Sequence, residues 1–423
     1  MAKRRGKGEG CISKRTKIDE ATGKEIVTGW QGYVTVGYDA KTGIPRRKFF
    51  SSKKRKDIQD KINDIISKVN NGTYKEPSKM KVADWFNVWI DEYQKSSLRP
   101  TTWDSYKMQI DKHILPEIGH LKLAHLQTYH LQSLYNSKQK DGARLDNKPG
   151  PLSPRSVRYI HMICHACLEQ AKLEGRIIVN PADAVKLPAD PRKEMRYFDT
   201  NQVAAFLSEA RKTRNFAAYF LALNTGLRRG ELLGLRWKDV DLKNGTISVN
   251  QGLVRVSGKL LFQEPKTKKS RRTIGISQAV VDELKKYRKM QLDEMELAMT
   301  SYNNEQGLVF CNELGEPICP RSFTKHFERV IERYNKRIDE QINEGNLKDA
   351  DAVKAKLPKI NFHGLRHTFA TLSLQQGTDP RTIQEALGHS KVAFTLEIYG
   401  GVTEKMKQDA TEKIGSLLAS CLE

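Results

Sequence analysis

The chain has 423 residues, 38% of them hydrophobic, and carries 73 Lys and Arg against 50 Asp and Glu, a formal net charge of +23. That length exceeds one ordinary domain and points to about three. So large a cationic excess calls for a polyanionic partner, either nucleic acid or an acidic membrane surface. The basic N-terminus precedes no apolar segment of signal-peptide type, and apolar runs such as Phe216–Leu223 are too short to span a bilayer, so a soluble cytoplasmic protein is expected. The 6 cysteines, Cys11, Cys164, Cys167, Cys311, Cys319 and Cys421, are sparse and irregularly spaced, unlike a disulfide framework.

Residues 1–56 contain sixteen basic side chains and five acidic ones, nearly half of the whole excess. Alternating polarity predicts strands at Cys11–Lys17, Trp30–Tyr38 and Arg46–Ser51, separated by the turn signals Ala21-Thr22-Gly23 and Lys41-Thr42-Gly43. A helical period follows at Ile58, Ile62, Ile65, Ile66 and Val69 and stops at Asn70-Asn71-Gly72. Residues 1–75 are therefore expected to form a small α+β domain, a three-stranded sheet plus one helix. Because β-sheets can read a DNA groove, its basic and aromatic residues Lys14, Arg15, Tyr33, Arg46, Arg47 and Lys48 are candidate DNA contacts. The bland alternative is a solvated basic face that meets no partner.

Residues 73–79 read as a linker, and residues 79–188 as an all-α domain. Trp85, Phe86, Trp89, Ile90 and Tyr93 form a stripe at helical spacing, better suited to a core than to base stacking. Thr101 is expected to cap a helix running to about His113, and two more helices follow at Leu126–Tyr135 and Ser153–Leu173. Cys164 and Cys167, with His161 and His165, raise the question of zinc. No second ligand pair follows at finger spacing, so the thiols are expected to act as small hydrophobes of a helix.

Leu187-Pro188-Ala189-Asp190-Pro191 is a second linker, and residues 195–423 form a mainly α domain. It opens with Asp199 or Thr200 as a helix cap, and Thr225-Gly226 turns the chain so that Arg228 begins a helix with Glu231 one turn on. Two or three strands are expected over Thr246–Arg255, Lys259–Glu264 and Arg272–Ile276, forming a small sheet or hairpin with the basic connection PKTKKSRR. Lys336–Lys356 reads as a solvated excursion without function.

The densest chemistry lies in Phe362–Tyr399. His363 and Arg366 are three apart on one helical face, Leu387-Gly388-His389-Ser390 forms a turn, and Tyr399 closes the stretch. A tyrosine hydroxyl set among histidines and arginines suggests chemistry on an anion, the obvious one being a phosphodiester. No GxxxxGK[ST] phosphate loop is present.

Five motifs occur in order: TGLRRGELLGLRW, EPKTKKSRRT, HGLRH, LGHS and Tyr399. In this the chain resembles the tyrosine recombinases, the phage-type integrases, and most of all those of conjugative transposons and phages of Gram-positive bacteria. His389 and Tyr399 lie ten positions apart, a spacing that suits that branch. The resemblance implies an arm-binding domain, a core-binding domain and a catalytic domain for the three regions. It implies catalytic roles for Arg228, Lys266, His363, Arg366, His389 and Tyr399. Tyr399 is the nucleophile, and Arg228, not its neighbour Arg229, joins Arg366 on the phosphate.

Lys266, with Lys268 and Lys269 as alternatives, would protonate the leaving oxygen. His363 would exchange a proton with Tyr399 or bond the phosphate, and His389 would donate a hydrogen bond. Glu231 would orient the site, while His367 is expected to point elsewhere. No cofactor and no metal are implied. The implied partners are double-stranded DNA attachment sites, three further copies in a tetramer, and an excisionase or host DNA-bending protein. A type IB topoisomerase, or a non-catalytic architectural protein on the same fold, is the alternative. Thr403–Leu422 reads as an amphipathic tail that docks either on its own domain or on a neighbour.

Overall fold

The computed structural model describes residues 10–18, 25–38, 42–71, 79–146, 148–191, 195–265, 271–344, 355–388, 412 and 414. Two compact units divide the chain: Met1–Leu98 with Tyr106–Asp190, and Arg99–Ser105 with Pro191–Glu423.

The first unit begins with an antiparallel meander of β1 (Cys11–Ile18), β2 (Glu25–Tyr38) and β3 (Pro45–Ser52), in that spatial order. Its register sets Cys11, Tyr33 and Phe49 side by side across the three strands. Helix α1 (Arg55–Asn70) places Ile58, Ile62 and Ile65 against Val34, with Ile12, Trp30, Val36 and Phe50 partly covered around them. One face of the sheet is thus sealed by the helix. The alternation of strand side chains sends Tyr33 and Phe49 to the other face, where Phe49 is 72% exposed.

The helical stretch that follows comprises α2 (Val82–Val88), prolonged by a wider helical turn at Trp89–Gln94, then α3 (Pro100–Gln109), whose residues up to Ser105 belong to the second unit, prolonged through Ile110–Ile114, and α4 (Leu115–Ile118), α5 (Thr128–Lys138) and α6 (Pro154–Leu173) of the first unit. Trp85, Phe86, Trp89 and Ile90 are buried, and the Trp85 indole donates to the Cys167 carbonyl at 3.0 Å. The stripe is core, as its spacing predicts, except at Tyr93, which is 39% exposed. Thr101 is not the cap expected of it. The helix starts one residue earlier at Pro100, whose missing N–H and fixed φ suit a first turn.

Cys164 and Cys167 are buried in α6, and burial pushes the Cys164 thiol up to about 12 and Cys167 well above its ordinary range. Both act as small hydrophobes. His165 instead faces Asp183 at 2.9 Å. Glu169 completes a trio of possible metal ligands whose atoms lie within 4.8 Å, but Lys172 and Asn180 already bind that carboxylate.

In the second unit Asp199 caps α7 (Thr200–Ala210), accepting from Gln202 N at 2.8 Å, and α8 (Phe216–Thr225) runs to Gly226. A short α9 (Arg229–Leu233) leads into β4 (Val240–Asp241) and β5 (Thr246–Val249). The strand expected over Thr246–Arg255 is broken. β5 pairs with β8 (Arg272–Gly275), whereas β6 (Gly252–Val256) pairs with β7 (Lys259–Gln263) in a separate hairpin. Side chains hold the break: Asn250 donates to Asp239 at 2.8 Å and Gln251 to the Gly234 carbonyl at 2.9 Å.

Helices α10 (Gln278–Ala298), α11 (Pro320–Asn343), α12 (His363–Gln375) and α13 (Pro380–Leu387) complete the described chain. Helix α11 takes in the first part of the expected excursion and buries Ile338, so Lys336–Asn343 is ordinary amphipathic helix. Residues 345–354 lie outside the described residues. The core gathers Phe206, Tyr219, Phe323, Phe327, Phe362 and Leu365 between α7, α8, α11 and α12. Among the described residues, no helix is long and apolar enough to cross a membrane.

Candidate active site

The site is built where the end of α8 meets α12 and α13. Gly226 stands at φ 62°, and a Cβ there would lie 2.6 Å from both Leu387 Cδ2 and Phe369 Cδ1. Glycine alone combines that left-handed backbone with so close an approach. The turn it makes delivers Arg228 to the start of α9, where Glu231 closes a capping arrangement. Its Oε2 accepts from Arg228 N at 2.9 Å, and its Oε1 accepts from Arg228 Nη1 at 2.7 Å.

Arg366 projects from α12 and is 2% exposed. Its Nη1 donates to the Gly226 carbonyl at 2.8 Å and its Nη2 to the Leu387 carbonyl at 2.7 Å. Arg228 Nη2 reaches the Gly388 carbonyl at 3.4 Å, and Arg272 Nε donates to the Ala386 carbonyl at 2.6 Å. Three guanidinium groups thus meet the last carbonyls of α13. Those carbonyls lack partners within their own helix and lie at its negative end, so cations satisfy both the hydrogen bonds and the dipole. Residues 228, 272 and 366 are held on one focus, immediately before His389 in the chain.

Burial raises the pKa of Glu231, but hydrogen bonds and charge from Arg272 and the charge of Arg228 overcome it and hold the group at about 2. One side of His363 reaches solvent. The protein packed around the rest withdraws it from water, and His367, Arg366 and Arg228 oppose another positive charge, so its pKa falls to about 4. His363 is therefore neutral at pH 7, with one nitrogen able to accept a proton.

Residues 196–406 match the phage integrase family, and residues 81–139 match the phage integrase N-terminal SAM-like domain. The chain belongs to the phage integrase family. It is a site-specific recombinase of the tyrosine type. A XerC-like tyrosine recombinase of Caldanaerobacter subterraneus is 27% identical, with 91% of this chain and 95% of that protein covered. The ICEBs1 integrase of Bacillus subtilis is 28% identical over 63% of this chain and 67% of its own. The fold is similar to that of the Tn1549 transposon integrase solved in complex with a circular intermediate DNA. The TM-score is 0.62 at 20% identity, covering 78% of this chain and 99% of that one.

Of the six catalytic candidates, the integrase structure brings Arg228, His363 and Arg366 together. Lys266 and its alternatives Lys268 and Lys269 lie outside the described residues, as do His389, Tyr399 and the tail apart from residues 412 and 414. His367 does not point elsewhere. Four positions along α12 from His363, it meets that ring edge to face with centroids 4.8 Å apart.

In the sequence Arg272 is one more cation of the basic connection PKTKKSRR. Its position as the first residue of a short strand is a signal only once the pairing of β8 with β5 is known.

The six candidates of the N-terminal sheet do not share one surface. Arg47 lies over the Tyr33 ring at 4.7 Å, and strand alternation puts Arg15 on the same open face. Lys14 and Lys48 lie on the helix-covered face, over Trp30 at 6.0 Å and Phe50 at 5.9 Å. Arg46 stands opposite Gly37 at a strand bulge.

Proposed function

We propose that this integrase cuts and rejoins double-stranded DNA at attachment sites through a 3′-phosphotyrosyl link, moving a mobile element in and out of a larger DNA. The observation that carries the reading is the convergence of Arg228 and Arg366 on the carbonyls of Leu387 and Gly388, directly before His389 in the chain. Guanidinium groups keep their charge and bind oxyanions through paired N–H donors. They stabilise the charge that builds on the non-bridging oxygens as the phosphate is attacked.

Tyr399 Oη attacks the phosphorus, the bond to the 5′-oxygen breaks, and Lys266 gives that oxygen its proton. Neutral His363 accepts the tyrosine proton, and His389 donates a hydrogen bond to the phosphate. The 5′-hydroxyl of a second strand then attacks the phosphotyrosine, remaking a phosphodiester and releasing Tyr399. Each step exchanges one phosphate ester for another, so no nucleotide is consumed.

In this reading residues 1–75 contact arm-type sites through Arg15, Tyr33 and Arg47. Residues 79–188 grip the core site and residues 195–423 perform catalysis. Four copies hold two duplexes, with an excisionase or a host bending protein setting direction. The Tn1549 integrase, solved with DNA, supports the choice of partner.

The test is a nicked duplex carrying the element's attachment site. The native protein should form an adduct that survives denaturation, and Tyr399→Phe should form none. An adduct with the variant, or none with the native protein, overturns the mechanism. Relaxation of supercoiled DNA without exchange between two sites would select the topoisomerase reading.

A further inference from the structure

We infer that Arg272 is a positioning residue of this recombinase: by sharing the charge of Glu231, it leaves the Arg228–Glu231 pair with a net positive charge to meet the scissile phosphate. The inference rests on the phosphate-binding role proposed for Arg228.

Arg272 lies at the start of β8, is 7% exposed, and binds Glu231 through both terminal nitrogens, Nη2 to Oε2 at 2.9 Å and Nη1 to Oε1 at 3.3 Å. Its Nε is turned to the Ala386 carbonyl at 2.6 Å. The same two carboxylate oxygens hold Arg228, through its backbone N–H and its Nη1. One carboxylate thus stands between two guanidinium groups. Only one of them is open: the Arg228 side chain is 39% exposed, against 7% for Arg272.

Arg228 and Glu231 alone form a neutral pair, whose carboxylate competes with a phosphate for the same N–H groups. Adding Arg272 makes the trio a net cation, with the surplus charge on the member that reaches solvent. Arg272 also fixes the plane of the Glu231 carboxylate, and with it the fork of Arg228, while its Nε fastens the end of α13 that leads into His389. Lysine presents a point charge and could not make the two-point bond and the carbonyl bond together.

The test measures single-turnover cleavage by the full chain on two nicked duplexes. One carries the natural scissile phosphate, and the other a methylphosphonate, which lacks the negative charge that Arg228 must match. The ratio of the two rates does not depend on how much of a variant is folded. Arg272→Lys and Arg272→Gln should lower the ratio of phosphate to methylphosphonate cleavage by about tenfold or more, less than the roughly 10²–10³-fold for outright loss of a positioned oxyanion donor because Arg228 itself remains. Glu231→Gln in the Arg272→Gln background should restore most of the ratio, because the competing charge is gone.

An unchanged ratio in both Arg272 variants, or no recovery in the double variant, overturns the inference. Arg228→Ala separates the two readings. If it too leaves the ratio unchanged, the phosphate role of Arg228 is wrong. If it lowers the ratio while the Arg272 variants do not, the failure belongs to Arg272 alone.

Discussion

The N-terminal sheet and the arginine focus of the second unit are both strongly basic, yet they hold their cations in opposite ways. On the sheet, Arg47 rests on the Tyr33 ring and Lys14 and Lys48 on Trp30 and Phe50. In the focus, Arg366 is buried and aimed by two carbonyls, and Arg272 is fastened to both oxygens of Glu231. Loosely held surface charge suits affinity that depends on salt and tolerates many DNA sequences. Fixed, desolvated charge suits one geometry and stabilises a charge that appears only in the transition state.

The largest effect that would break this contrast is in the focus. Arg366→Ala should reduce single-turnover cleavage by roughly 10²–10³-fold, with DNA affinity little changed in a filter-binding or fluorescence titration. A loss of affinity matching the loss of rate would mean that Arg366 binds ground-state DNA and is not tuned to the transition state.

An intermediate effect concerns the sheet. Arg15→Ala and Arg47→Ala should each flatten the dependence of log affinity on log salt for arm-site DNA by about 0.9, and leave cleavage of a core-only substrate unaffected. Lys14→Ala and Lys48→Ala should alter that slope less, because these side chains lie along the helix-covered face. Equal effects at all four positions would return the sheet to an undirected basic surface.

The smallest effect is on stability. His363 takes up its proton at about 4 in the folded chain, against about 6.5 when unfolded. Glu231 is held at about 2 in the fold. Both values are depressed, so the unfolded chain binds these protons first and the second unit should lose stability as pH falls from about 6.5 towards 2. His363→Gln should flatten the part of that fall between about 6.5 and 4 in denaturant melts; a curve unchanged in that window would remove His363 from the account.

Much of this protein was legible in one dimension. Period-2 and period-3.6 patterns placed the three strands and the helices, because each element must bury one face. Motif order singled out Arg228, His363 and Arg366, and the fold brings those three together. The sequence did not distinguish Arg47 from Lys48. Adjacent residues on a strand point to opposite faces, and only the register with Tyr33 and the position of α1 say which face is open.

Nor did it single out Arg272 from the cations beside it. Its role arises from β8 pairing with β5 and from the end of α13 lying next to Glu231, contacts between residues 41 and 114 positions apart. Local patterns decide which residues are helical, stranded or charged. Whether a given charge is spent on a carboxylate, shared, or left to meet a phosphate depends on distances that only the tertiary fold fixes.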